Sequence, residues 1–383
     1  MSFFGYNRKH DCMTTYLLYI IIPFLCSAVC GFVFIPLIIS FCKRKGLYDL
    51  PDERKLHHSN IPRLGGISFL PSMFLAALAA LALNNHFAND DQMTISLWTA
   101  YFVISLLLIY GVGLVDDLVG LEATPKFVVQ IVAAVLMPAA GLYFNNLYGF
   151  LGVNEIGFWP GALFTVFVIV LVSNALNLID GLDGLSGSLS LLALGGFLVL
   201  FLHQGMVLYG ILIAGLMGVL ASFLYYNIWG KVEKGQKIFM GDAGSLTLGF
   251  ILGFLAVKYS MNNPSVMPYR PYSMLLAYTL LVVPVFDVVR VSILRIRHHK
   301  PIFDADKNHI HHKLLRTGMN QHWALVTILL LAVTFIALNV ALAHVVDSML
   351  IVLIDIAVWM LFHAAIDLAI HRNGQEVFIS TQS

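Results

Sequence analysis

Aspartates and histidines punctuate this sequence where apolar runs end, and their spacing suits phosphate and metal chemistry. Asp116 and Asp117 are adjacent, directly after the apolar run that closes at Val115. At an effective dielectric near 20, two carboxylates ~5 Å apart repel by ~3 kcal/mol, so the pair calls for a proton or a cation; a divalent ion is the simplest partner. In Asn174-Ala-Leu-Asn-Leu-Ile-Asp-Gly-Leu-Asp-Gly, the residues Asn174, Asn177, Asp180 and Asp183 recur every three positions and share a face while a helix lasts. Gly181 and Gly184 loosen the turn, and a row of oxygen side chains suits a hard cation or the edge of a ribose and base. Taken alone, a polar helix end followed by a glycine turn explains that segment as well.

Phe239-Met-Gly-Asp-Ala-Gly-Ser adds Asp242, which reads as the N-cap of a helix start ready for an anion. Asn308-His-Ile-His-His-Lys brings His309, His311 and His312, with Asp304 and Asp306 before them and Lys313 and Arg316 after. In a helix His309 and His312 share a face and His311 points elsewhere. Abundant oxygen groups without a nearby thiolate favour magnesium or manganese over zinc, with the histidines donating to phosphate oxygens. The loop from Asp49 to Gly66 mixes Arg54, Lys55, His57 and Arg63 with turn residues. A topogenic basic loop accounts for Lys43, Arg44 and Lys45, whereas Arg63 beside Gly65-Gly66 points to an anionic ligand.

The elements that must position these groups are membrane helices. The 383 residues are 59% hydrophobic and 11% charged, with a mean hydropathy of +0.84, which excludes an ordinary water-facing domain. A hydrocarbon core of roughly 30 Å takes about 20 helical residues to cross, and runs such as 16–41 and 324–343 are apolar on every side, unlike the period-two strands of a barrel. The first run is too long for a signal-peptide core, and the cysteines at 12, 26, 30 and 42 form no metal or disulfide pattern. Eleven spans are expected, near 16–41, 65–83, 95–115, 127–143, 159–178, 187–203, 206–226, 243–259, 272–292, 323–344 and 348–370. All lysines and arginines except Arg8, Lys9, Lys258 and Arg270 then fall on one side, which places the N-terminus outside and the C-terminus in the cytoplasm. The acids listed above gather on that same inner side.

The fold class is thus all-α and polytopic, a single transmembrane domain over 1–383 with catalytic motifs on cytoplasmic loops between 42 and 322. Asp287 and Arg290, three apart, read as a local pair bordering the site. Asp355, His363 and Asp367 fall in the last span, where ionisable groups raise the question of transport or proton relay. The last two spans lie beyond the motifs and add nothing to the functional reading.

Asp116-Asp117, Asn177-Leu-Ile-Asp-Gly-Leu-Asp-Gly, Phe239-Met-Gly-Asp-Ala-Gly and His309-Ile-His-His, in that order, resemble the polyprenyl-phosphate N-acetylhexosamine-1-phosphate transferases, relatives of the phospho-N-acetylmuramoyl-pentapeptide transferase of peptidoglycan synthesis. The resemblance implies a membrane enzyme of bacterial inner membranes that moves a sugar 1-phosphate, GlcNAc-1-phosphate above all, from its UDP-sugar to undecaprenyl phosphate, releasing UMP and initiating a cell-envelope glycan such as O-antigen or teichoic acid. It implies Mg2+, with Mn2+ as a substitute, held by Asp117 and Asp242, and Asp116 orienting or deprotonating the lipid phosphate. Asn177, Asp180, Asp183 and Asn227 match positions around the nucleotide or metal, and Phe239 matches an aromatic that stacks on uracil. Lys126, Lys55, Arg63 and the histidines at 309, 311 and 312 would contact phosphates or sugar. The muramoyl-pentapeptide branch is expected to carry an unbroken histidine triplet, which Ile310 interrupts here. The competing class is a secondary transporter, with polar groups at the bilayer midplane. A homodimer is compatible with this reading, and no nucleic-acid partner is implied.

Overall fold

The structure, a computed structural model, describes residues 4–49, 60–87, 97–264, 266–267, 269–301 and 307–378. In chain order its helices are α1 Phe4–Lys45, α2 Phe69–Phe87, α3 Leu97–Val119, α4 Ala123–Ala139, α5 Phe158–Ile179, α6 Leu185–His203, α7 Val207–Trp229, α8 Asp242–Ser260, α9 Ser273–Thr279, α10 Val282–Arg297, α11 Ile310–Arg316, α12 Gln321–Leu342 and α13 Ser348–Arg372. The strand pairing is confined to a two-residue antiparallel ladder, β1 Tyr48–Asp49 with β2 Ile61–Pro62, among the described residues. Apolar runs become helices because in lipid the backbone must satisfy its own hydrogen bonds.

Helix α8 is the axis of the bundle. All its residues from Ala243 to Ser260 are buried, and α3, α5 and α6 pack around it. The approach of α5 is close: a Cβ on Gly249 would lie 2.5 Å from the Ser173 Cα. Outer helices present apolar side chains outward instead, as Leu25, Val29 and Leu37 do on α1 and Leu361 and Leu368 on α13. Lys43, Arg44 and Lys45 close α1, where cations complement the helix carboxyl end.

Each of the eleven expected spans coincides with a helix or a helix pair. Among the described residues nine helices are long and apolar enough to cross a membrane, ten with α9 and α10 taken together, while α4 is a shorter apolar helix of 17 residues. Over the ninth expected span, 272–292, two helices, α9 and α10, bend by 72° at Leu280 and Leu281. Buried polar groups from the last two spans meet this break. The Tyr278 hydroxyl and the Asn339 amide donate to Asp355 Oδ2 at 3.0 and 2.8 Å, and the Asn339 amide also donates to the Thr279 hydroxyl at 3.0 Å.

The ends matter most for function. Asp116 and Asp117 lie at the carboxyl end of α3, Asn177 at that of α5, Lys126 in the first turn of α4, and Asp242 at the first residue of α8. Alternating helix direction therefore gathers motifs that are far apart in sequence at one end of the bundle.

Replacing Asn339 by leucine removes a donor from the buried Asp355 carboxylate and is expected to lower stability by roughly 1 kcal/mol, read as an earlier thermal transition of the purified protein in detergent.

Candidate active site

The site is built on a contact between α3 and the start of α8. Gly241 precedes α8 at φ +76°, and a Cβ there would meet the Arg63 carbonyl oxygen at 2.2 Å and Asp117 Oδ2 at 2.5 Å, so only glycine fits. The backbone N–H groups of Asp242 and Ala243 donate to Asp117 Oδ1 and Oδ2 at 2.8 and 2.9 Å. These are orphan donors of a helix start, and a buried carboxylate satisfies both. Asp242 is thus not the N-cap that its sequence context suggests. Gly241 holds the cap position, and the anion at this helix start is the chain's own Asp117.

The first inner loop locks the same junction. Arg63 Nε donates to the Asp117 carbonyl oxygen at 2.9 Å. Phe239 N–H donates to the Pro62 carbonyl at 2.7 Å, and Gly65 and Gly66 N–H donate to the Phe239 and Met240 carbonyls at 2.9 and 2.7 Å. A Cβ on Gly66 would come within 2.2 Å of the Gly244 Cα. Backbone packing against α8 accounts for this glycine pair, which the sequence had associated with an anionic ligand.

Around that junction lies a charge cluster. One ligand oxygen each from Asp116, Asp117 and Asp242 falls within 4.8 Å of the others. Lys126 Nζ stands 3.2 Å from Asp116 Oδ2 and 3.0 Å from Asp242 Oδ2. Asp116 Oδ1 accepts the Leu121 N–H at 2.6 Å, and Asn177 Nδ2 donates to Asp242 Oδ1 at 3.0 Å and to the Ser245 hydroxyl at 2.9 Å. An all-oxygen carboxylate set with spare lone pairs fits a hard divalent cation. An ion between Asp116 and Asp242 would displace Lys126, the ammonium that bridges them.

The Asn174 to Gly184 segment divides its labour. Asn174 turns away to Gln130 Oε1 at 2.6 Å, so it is a packing group. Asp180, at the end of α5, is held well above the usual carboxylate pKa by enclosure and by the charges of Asp242, Asp183 and Asp117. Asp183 pairs with Lys237 Nζ at 2.5 Å. Asn227 is a brace: its Oδ1 accepts the Gly184 N–H at 2.6 Å and its Nδ2 donates to the Ile238 carbonyl at 2.8 Å. It holds the glycine turn against the extended segment that leads to Phe239.

The histidines form the opposite wall. His309 lies outside the short helix α11 as its cap, so His309 and His312 do not share a helical face as the spacing alone suggested. The rings of His309 and His311 stack instead, 6.0 Å apart and 7° from parallel. Buried Asp287 fixes His309, lying 2.8 Å from its Nδ1, and also accepts from Ile310 N–H at 3.0 Å and Arg290 at 2.8 Å. His311 is buried with neither ring nitrogen bonded, and a Cβ on Gly181 would sit 2.3 Å from its Nε2. An unpaired imidazole aimed at the Asp180-Gly181 turn is an exception among buried polar groups. Burial, with the charges of His312 and His309, lowers the His311 pKa; burial, with His309 and Arg316, pushes His312 down to about 4. Both rings are neutral at pH 7.

Of the residues expected from the sequence, Asp116, Asp117, Lys126, Asn177, Asp180 and Asp242 converge, and His311 meets the Asp180-Gly181 turn. Arg63, Asn227 and the backbone at Phe239 hold the frame. Lys55, with Arg54, His57, Asp304 and Asp306, lies outside the described residues. Gln130 and Lys237 were missed, since ordinary residues on unrelated segments give no signal of where they will meet, and Ser245 lay within the Phe239 motif without a role assigned to it.

A profile of the family described as glycosyl transferase family 4 matches residues 99–260, the stretch that holds all three aspartate motifs. A Bacillus subtilis (strain 168) protein named a probable undecaprenyl-phosphate N-acetylglucosaminyl 1-phosphate transferase is 30% identical, over 82% of this chain and 83% of its own length. The chain belongs to glycosyl transferase family 4. A Yersinia pestis family member named undecaprenyl-phosphate alpha-N-acetylglucosaminyl 1-phosphate transferase is 29% identical over 75% of this chain and 74% of its own. A Mycobacterium tuberculosis (strain ATCC 25618 / H37Rv) member named decaprenyl-phosphate N-acetylglucosaminephosphotransferase is 32% identical over 78% and 76%.

Two outcomes follow for this family member. Asp117→Asn leaves one oxygen for two helix N–H donors and turns an NH2 toward them, so it is expected to cost about 1–3 kcal/mol of stability as well as activity, measured by thermal unfolding beside turnover. A base whose folded pKa is depressed contributes stability above its unfolded pKa near 6.5 and loses it as pH falls toward the folded value. For His312, folded near 4, the loss runs from pH 6.5 to about 4, at no more than roughly 1.4 kcal/mol per pH unit; His312→Gln is expected to flatten that part of the curve of melting temperature against pH.

Proposed function

We propose that this chain transfers N-acetylglucosamine 1-phosphate from UDP-GlcNAc to undecaprenyl phosphate, releasing UMP, as the first step of a cell-envelope glycan. The observation that carries this reading is the convergence of Asp116, Asp117, Asp242 and Lys126 with the unpaired His311 at one end of an apolar bundle. The relatives' names, with a polyprenyl phosphate acceptor and an N-acetylglucosaminyl phosphate group, fit that chemistry. In this reading the site faces the cytoplasm of a bacterial inner membrane, so the nucleotide arrives from water and the lipid phosphate sideways from the inner leaflet.

Phosphoryl transfer depends on alignment and charge neutralisation more than on covalent help from protein. Asp117 and Asp242 would hold Mg2+, which when bound would supply Lewis-acid neutralisation of the donor diphosphate. Asn177 orients the Asp242 carboxylate through its 3.0 Å hydrogen bond. Asp116 positions the acceptor phosphate; a phosphate monoester's second pKa near 6 leaves little work for a base. Lys126, beside Asp116 and Asp242, donates to phosphate oxygens, and His311 and His312, neutral at pH 7, donate N–H groups to donor phosphate or sugar. The bond from the sugar-bearing phosphorus to the UMP oxygen breaks as the bond to the lipid phosphate oxygen forms.

Purified protein with undecaprenyl phosphate and radiolabelled UDP-GlcNAc is expected to form a lipid-linked sugar only with Mg2+ or Mn2+ and to stop with EDTA. Asp242→Asn is expected to lose at least about 100-fold in kcat with its melting temperature retained. Absence of product for every UDP-N-acetylhexosamine tried, in any magnesium condition, would sink the proposal.

A further inference from the structure

Helix α11 carries His311 and His312 on seven residues, too short to hold itself in place by its own hydrogen bonds. Its position must come from neighbours. One anchor is α10, through Asp287 and Arg290; the Arg290 guanidinium also donates to the Asn308 carbonyl at 2.5 Å. The second anchor comes from the end of the chain. Lys313, buried on the far side of α11, forms an ion pair with Asp367 of α13 and lies 3.4 Å from His363 Nδ1. Asn373 Nδ2, at the end of α13, donates to the Thr317 carbonyl at 2.8 Å, and Arg316 Nη1 donates to the Glu376 and Val377 carbonyls at 3.0 and 3.2 Å. Ile366 and Ile370 of α13 join Ile310 and Leu314 of α11 in the same buried cluster.

We infer that the cytoplasmic end of α13 is a positioning element of the active site, with Asp367 as its key residue. Through Lys313 it sets where α11 presents His311 and His312 to the nucleotide sugar. Asp367 touches no reacting group. The charge pair holds one face of a short helix whose other face is the ligand wall, and a misplacement on the scale of 1 Å at such a wall is enough to cost catalysis. His363 and Asp367 thereby take an alternative to a transport role: they hold a helix rather than pass a proton. This inference rests on the histidine role proposed above.

The test uses full-length protein in detergent or nanodiscs. Asp367→Asn is expected to raise KM for UDP-GlcNAc roughly tenfold, leave KM for the lipid phosphate unchanged, and speed amide exchange in residues 310–316 while α5 and α8 exchange as in the wild type. Asp367→Glu, which keeps the charge, is expected to restore most of both. Wild-type kinetics and exchange in Asp367→Asn would overturn the inference. So would a loss that lowers melting temperature and protection throughout the bundle without a selective change in donor KM, since that marks a merely structural pair. His311→Ala and His312→Ala, measured in parallel, separate the two readings. Full activity in both removes the histidine role, whereas exchange in 310–316 reports the coupling to α13 independently of turnover.

Discussion

The structure depends on one carboxylate that serves as the electrical end of a helix. Asp117, buried on α3, accepts the two backbone N–H groups with which α8 begins. Since α8 is the helix around which the bundle is packed, the same contact that satisfies its start also fixes Asp242 beside Asp116. A charge buried at this depth is tolerable because its partners are fixed dipoles that need not reorganise. Remove the glycine at 241 and the carboxylate cannot come close enough.

From that junction the site follows by charge balance. Three carboxylates within 4.8 Å are too costly to leave alone. Lys126 bridges Asp116 and Asp242 and supplies a balancing positive charge. The histidine side is organised differently: Asp287 and Arg290 hold His309, while neither ring nitrogen of buried His311 makes a hydrogen bond. On that side His311 and His312 are neutral at pH 7.

The polar groups inside the membrane region divide by place. At the bend between α9 and α10, Asp355, Asn339, Tyr278 and Thr279 bond to one another and tie α12 and α13 to the broken span. At the site end, Asp367 and Lys313 tie α13 to α11. The last two spans therefore join the working part of the molecule at two levels, although no motif marks them. In both cases an acid on α13, Asp355 or Asp367, takes part in the joining.

The sequence by itself determined the solvent, the helical class and the chemical inventory. Lipid demands long apolar helices, and acids at their ends are costly enough to be conspicuous, so Asp116, Asp117, Asp180 and Asp242 were legible as a set. The bend at Leu280, the cap at Gly241 and the stacking of His309 on His311 were not, because each depends on residues more than sixty positions away or on a helix boundary that periodicity fixes only to a few residues. Only the tertiary structure decided that Asp117 faces helix N–H groups, that Gly65 and Gly66 serve packing, and that Asp367 reaches Lys313. Residue types and spacing record what a side chain can do, whereas which partner it meets is set by how the helices pack, and that information is spread over the whole chain.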